Sequence, residues 1–146
     1  MALEIKLAAP ADEAEWRRLW HDYLAFYEAE RPKEVYDASW ARILDPASEL
    51  FCYLAHFDGR IIGLSNFLYH ASFWEAEERC YLNDLYVDPD IRGTGAGAAL
   101  IEATFEHSKA RGAAQLYWTT AHDNTVARGL YDKVATLTPF IKYNKT

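Results

Sequence analysis

Cysteine is scarce in this chain of 146 residues: there are two, Cys52 and Cys80, and they form no CxxC pair. That leaves no disulfide framework and no paired-cysteine zinc or redox motif. Basic charge is also short. Fifteen Lys and Arg stand against 22 Asp and Glu, a formal net charge of −7. Nucleic acid and anionic membranes both reward a basic surface, so neither is expected as a partner. No apolar run approaches the length that spans a bilayer. The opening residues, Met1-Ala2-Leu3-Glu4-Ile5-Lys6, lack the basic-then-apolar layout of a signal peptide. Reduced core thiols in a cytoplasmic protein are therefore expected. The five histidines show no ligand spacing such as HxxxH, and no metal is assigned. No repeat or linker interrupts the chain, and its length fits one domain over residues 1–146.

What is present is ordinary for a folded globular protein: 51% hydrophobic and 25% charged residues. Leu3 to Ala8 alternates weakly, as a short strand does. Asp12 followed by Glu15 resembles a capping box and opens a helix. Trp16, Leu19, Trp20, Tyr23 and Tyr27 recur at three- and four-residue steps, giving that helix an aromatic face. A second helix is expected from Glu34 to Leu44, stopped by Asp45-Pro46. Phe51–Phe57 and Ile61–Leu68 read as two strands of a hairpin turned by Asp58-Gly59. Cys80–Val87 is a further strand. A helix follows from Gly97 to Ala110, with Ala99, Leu100, Ala103 and His107 on one side. Gln115–Thr120 reads as a strand, Asn124–Val134 as a helix and Phe140–Tyr143 as a last short strand.

The most informative stretch is Arg92-Gly93-Thr94-Gly95-Ala96-Gly97-Ala98, between a strand and a helix. Alternate glycines let the backbone turn sharply and approach a ligand without interference from Cβ. Their N–H groups and the helix start together make an anion site, and Arg92 adds a bidentate cation for phosphate. An acidic protein could hold a polyanion this way, because the attraction is local. The stretch is not a GxxxxGK[ST] phosphate loop. Gly93 to Ala98 does fit a relaxed GxGxxA dinucleotide fingerprint, but most of the strands precede it, where a dinucleotide fold needs parallel strands after it.

The same residues resemble the Q/R-x-x-G-x-G/A loop of the GNAT superfamily of acyl-CoA-dependent N-acyltransferases. The likeness extends from Cys80 to Lys133. It takes in Tyr81-Leu82-Asn83-Asp84-Leu85-Tyr86-Val87 before the loop, and Asn124, Ala127 and Leu130-Tyr131-Asp132-Lys133 after it. The resemblance implies an α+β fold, a three-layer α/β arrangement. Its central sheet is mixed and mostly antiparallel, is flanked by helices, and has splayed parallel fourth and fifth strands.

It further implies acetyl-CoA as donor. The pantetheine arm would lie on the backbone of Leu85, Tyr86 and Val87, and the pyrophosphate on Arg92, Gly93, Thr94, Gly95, Ala96, Gly97 and Ala98. Asn124 would bond the pantetheine, or cap its own helix. Lys133 would meet the ribose phosphate, or be a solvated charge. Tyr131, which helix spacing alone makes a core aromatic, corresponds to the family tyrosine near the thioester sulfur and would protonate the leaving thiolate.

Relatives acting on spermidine and spermine carry Glu where Asn83 stands. Asp84 is the adjacent carboxylate, but strand alternation turns it to the opposite face unless a bulge re-aims it. Tyr23, Tyr27 and Asn83 are the expected acceptor contacts. The expected activity is acetyl transfer by direct attack of a small-molecule primary amine. An acyl-CoA-binding module without catalysis and a nucleotide-binding domain are the alternatives. Pairing through the lone terminal strand suggests a homodimer.

Overall fold

A computed structural model describes residues 2–91 and 93–146. In chain order the elements are β1 (Leu3–Leu7), a short 3-10 turn (Pro10–Asp12), α1 (Glu13–Phe26), α2 (Lys33–Leu44), β2 (Leu50–Phe57), β3 (Arg60–His70), β4 (Arg79–Val87), α3 (Ala96–Ala110), β5 (Gln115–Tyr117) and α4 (Thr125–Val134). The strands form one sheet in sequence order. β1 to β4 are antiparallel neighbours, and β5 joins parallel to β4. The α+β architecture expected from the sequence is the one found. Among the described residues no helix is long and apolar enough to cross a membrane.

The aromatic stripe of α1 divides in two. Trp16, Leu19, Trp20 and Leu24 are buried and pack with Cys52, Leu54 and Leu64 of the sheet. Trp16 stacks on Trp20 at 5.5 Å between ring centroids and meets Trp40 of α2 at the same distance. Each such ring contributes on the order of 2–3 kcal/mol by burial. Tyr27, one turn further on, is 43% exposed and belongs to a cavity rather than to the core.

The opposite face of the sheet is covered by α3 through Leu100, Ile101, Thr104 and Ser108. This face is rotated from the expected one. Leu100 is common to both, while Ala103 and His107 lie at its margin. The small hydroxyls are tolerated because they are satisfied: Thr104 donates to the Leu100 carbonyl and shares a 3.0 Å bond with Ser65.

At the β2–β3 hairpin Asp58 and Gly59 both have positive φ (48° and 81°), as a type I′ turn requires. The register slips twice across the sheet. One slip leaves Ile62 without a partner between β2 and β3; the other leaves Asn83 without one between β3 and β4. Gly63 follows the first slip, where an added Cβ would lie 2.9 Å from the Tyr86 carbonyl oxygen.

Three expectations fail. Asp12 does not cap α1 with its side chain; it accepts the Ala9 N–H at 2.9 Å and closes the preceding turn instead. β5 stops at Tyr117, three residues short of Thr120, because its neighbour diverges. Phe140–Tyr143 forms no strand, and Phe140, Ile141 and Tyr143 are exposed.

Candidate active site

The β4–β5 ladder covers only Arg79↔Gln115, Cys80↔Leu116 and Tyr81↔Tyr117. Beyond Tyr81 the two chains part. β4 stays bonded to β3 on one edge, through Ser65↔Leu85, Leu64↔Tyr86 and Gly63↔Val87. Its other edge has no strand beside it among the described residues. Backbone polar groups must find partners when covered, so the edge at Leu85, Tyr86 and Val87 is a ready surface for an extended, amide-bearing ligand. The early end of β5 is what opens this cleft.

At the head of the cleft lies the glycine loop. Gly93 and Gly95 have φ of 73° and 77°, the left-handed region that favours glycine. The Thr94 hydroxyl accepts the Ala96 N–H at 3.2 Å, and the Ala99 N–H bonds the Gly95 carbonyl at 3.0 Å. Between them, the N–H groups of Gly97 and Ala98 have no acceptor among the described residues. Orphan donors at a helix start suit a phosphate, and a pyrophosphate fits here. Arg92, expected to assist, lies outside the described residues. Gly97 also lets α4 approach: a Cβ there would stand 3.3 Å from Leu130.

Just before the loop Asp88 is buried and held by Arg18 of α1 at 3.1 Å. Arg18 also donates to the Ile61 carbonyl at 3.0 Å and to Glu15 at 2.9 Å. Burial opposes its charge, but the bonds to Asp88 and Glu15 outweigh it and hold the guanidinium above its ordinary value. The result is a fixed seating of α1 across the end of β4.

The slip at Asn83 decides where Asp84 points. Cys80 and Leu82 face α3, and so do Leu85 and Val87. Strict alternation would put Asp84 with them. The extra residue reverses the phase, and Asp84 faces α1 instead. The Asn66 amide donates to Asp84 Oδ2 at 3.0 Å and the Asn83 amide to Oδ1 at 2.9 Å. Trp16 Nε1 donates to Asn66 Oδ1 at 3.1 Å and fixes that amide. Asp84 is 9% exposed and has no cation partner among the described residues. Tyr23 packs beside it, and burial, reinforced by that carboxylate, pushes the Tyr23 phenol well above its usual value.

These groups line a cavity of about 340 Å³. α1 contributes Tyr23 and Tyr27, and β4 contributes Tyr81, Asn83 and Asp84. The segment beyond β5 contributes Thr119, Thr120 and Ala121, and the C-terminal segment contributes Lys142. A second cavity, of about 440 Å³, runs from Phe26, Tyr27 and Glu28 to Asn124 and Val126.

On the far side of the cleft, Tyr131 meets Trp118 edge to face at 5.4 Å. Burial first, and then Tyr27, push its phenol up to about 12. Its hydroxyl has no partner among the described residues. Asn124 accepts the Ala127 N–H at 3.4 Å and caps α4, while its amide donates to Thr120 Oγ1 at 3.3 Å. Lys133 is exposed on the last turn of α4.

The structure thus gathers Tyr23, Tyr27, Asn83 and Asp84 in one cavity, with Tyr131 and Asn124 across the cleft. Lys133 stands apart, in solvent. Sequence reasoning missed Asn66 and Arg18. For Asn66 a signal existed: Ser65-Asn66 is a polar pair inside an apolar strand, and buried amides need partners. Nothing local marked Arg18.

Comparison with known proteins agrees with this geometry. Residues 16–135 match the acetyltransferase (GNAT) family. The D-amino-acid N-acetyltransferase HPA3 of Saccharomyces cerevisiae is 38% identical over 144 residues, covering 97% of this chain and 89% of that protein. The uncharacterized N-acetyltransferase YhfO of Bacillus subtilis is 31% identical over 132 residues, covering 90% of this chain and 87% of that protein. In fold, the aminoglycoside N-acetyltransferase AAC(6')-Iy, solved with a bisubstrate analogue, superposes with a TM-score of 0.87 at 19% identity, over 100% of this chain and 99% of that one. The chain belongs to the GNAT family of acetyltransferases, whose donor is acetyl-CoA. It is an enzyme, an N-acetyltransferase, and the readings as a binding module or a nucleotide-binding domain give way.

Proposed function

We propose that this enzyme moves the acetyl group of acetyl-CoA directly onto the α-amino group of a free amino acid, D-amino acids included. The observation that carries it is the re-aimed Asp84: a buried carboxylate that forms no ion pair among the described residues, set in a cavity beside the open edge of β4. The 38% identity to a D-amino-acid N-acetyltransferase supports the acceptor class.

Acetyl-CoA supplies an acyl carbon activated as a thioester. The N–H groups of Gly97 and Ala98 bind its pyrophosphate, with Gly93, Thr94, Gly95 and Ala96 shaping the turn. The open edge at Leu85, Tyr86 and Val87 pairs with the amides of its pantetheine arm. Asn124, already committed to Ala127 and Thr120, shapes the wall beside that arm. Asp84 draws the acceptor ammonium in and takes its proton, leaving a neutral nitrogen able to attack. Asn66 and Asn83 hold the carboxylate in place for this. Tyr131 remains a neutral phenol at physiological pH and donates its proton to the departing sulfur, and its oxygen recovers a proton from the nitrogen, which sheds its second one as the amide forms. A backbone N–H of Leu85–Val87 stabilises the developing oxyanion. Tyr23 and Tyr27 form the acceptor wall. Cytoplasmic residence fits the two free buried thiols.

The test is acetyl-CoA turnover against a panel of D- and L-amino acids, their carboxamides, polyamines and aminoglycosides, followed by release of free thiol. Turnover of amino acids is expected. No turnover with any amine would overturn the reading.

A further inference from the structure

We infer that Lys142 is the residue that selects a carboxylate-bearing acceptor, by pairing with the acid group of the amino acid while Asp84 takes its amine. This rests on the acceptor reading above and deepens it. After α4 the chain forms no helix or strand, and Phe140, Ile141 and Tyr143 turn out to solvent. Lys142, in the middle of this run and itself exposed, lines the cavity that holds Asp84. Among the described residues it forms no ion pair.

Besides Asp84, the other lining groups are tyrosines, threonines, an alanine and an amide, which carry no formal charge. The cavity therefore carries one fixed negative charge and one positive charge on a long, adaptable stem. For a plain amine or a polyamine this arrangement is self-defeating, because the ammonium that Asp84 attracts is repelled by Lys142. For a zwitterion both charges are answered. Discrimination then has an attractive and a repulsive component on the same side chain. A cavity of about 340 Å³ has room for a single amino acid.

The test compares the best amino-acid acceptor with its own carboxamide, equal in size but without the carboxylate, in wild type, Lys142→Met and Lys142→Arg. For Lys142→Met, KM for the amino acid is expected to rise by about tenfold or more. kcat should stay within about twofold, and KM for the carboxamide should hold or fall. Lys142→Arg should restore most of the loss. Unchanged CoA binding by calorimetry checks that the fold is intact. Equal changes for both acceptors, or no change for either, would overturn the inference. Wild-type turnover of carboxamides and polyamines but of no amino acid would also overturn it, and would leave acetyl transfer standing. Absence of turnover with every amine would remove both together.

Discussion

The two halves of β4 are one strand with two occupations. From Arg79 to Tyr81 it is bonded on both edges, to β3 and to β5, and its backbone is committed to the sheet. From Asn83 to Val87 it is bonded on one edge only, and the slip at Asn83 has reversed which side chains face α1. Nothing in composition separates the halves, for both mix apolar and polar residues. What differs is whether a neighbour has claimed the backbone. A candidate site arises here where pairing stops, and one inserted residue brings a carboxylate to the same place.

The comparison can be broken at three points. Asp84→Asn keeps the shape of the second half and removes its proton acceptor. Acetyl transfer should fall by about a hundredfold or more, with CoA affinity by calorimetry unchanged; wild-type turnover would leave the re-aimed carboxylate without a role. Gly63→Ala presses a methyl group into the Tyr86 carbonyl from the β3 side. It should lower stability by about 2 kcal/mol in urea unfolding and weaken CoA binding, because the cleft edge must move. Tyr131→Phe touches the opposite wall, and kcat should drop by about tenfold while CoA binding holds. The sign of its pH dependence follows from its raised value. An acid that loses its proton only near 12 stays competent as pH climbs, so the wild-type rate should show no loss from this group below about pH 10. An alkaline decline near neutrality that disappears in Tyr131→Phe would contradict that.

Much of this was legible beforehand. The elements read correctly wherever a strong local signal coincided with the tertiary demand. The Asp58-Gly59 turn is set by its own φ preferences, α4 begins at the Asn124 that caps it, and the glycine loop sits between β4 and α3 as expected. The failures share a cause. Asp12 has two N–H groups within reach, and the closer turn wins. β5 ends early because its length is set by how far β4 stays alongside. Phe140–Tyr143 has the composition of a strand but pairs with no edge of the sheet. In the site, helix spacing alone puts Tyr23 and Tyr27 on the same face as Trp16 and Trp20, and what parts them physically is where the sheet ends beneath α1. The orientation of Asp84 turned on a register slip, which is a property of two strands and is invisible in either one.

The two cysteines lie on opposite faces of the sheet and two strands apart, Cys52 on β2 under α1 and Cys80 on β4 under α3, both buried and unpaired. Burial raises both thiols, Cys80 to about 11. Neither can meet the other without the sheet coming apart, and neither is reactive while its layer is closed. The chain therefore carries a pair of built-in reporters. The rate at which a thiol reagent reaches each one measures how often that side of the protein opens, and unequal rates would show that the two helical layers lift off independently.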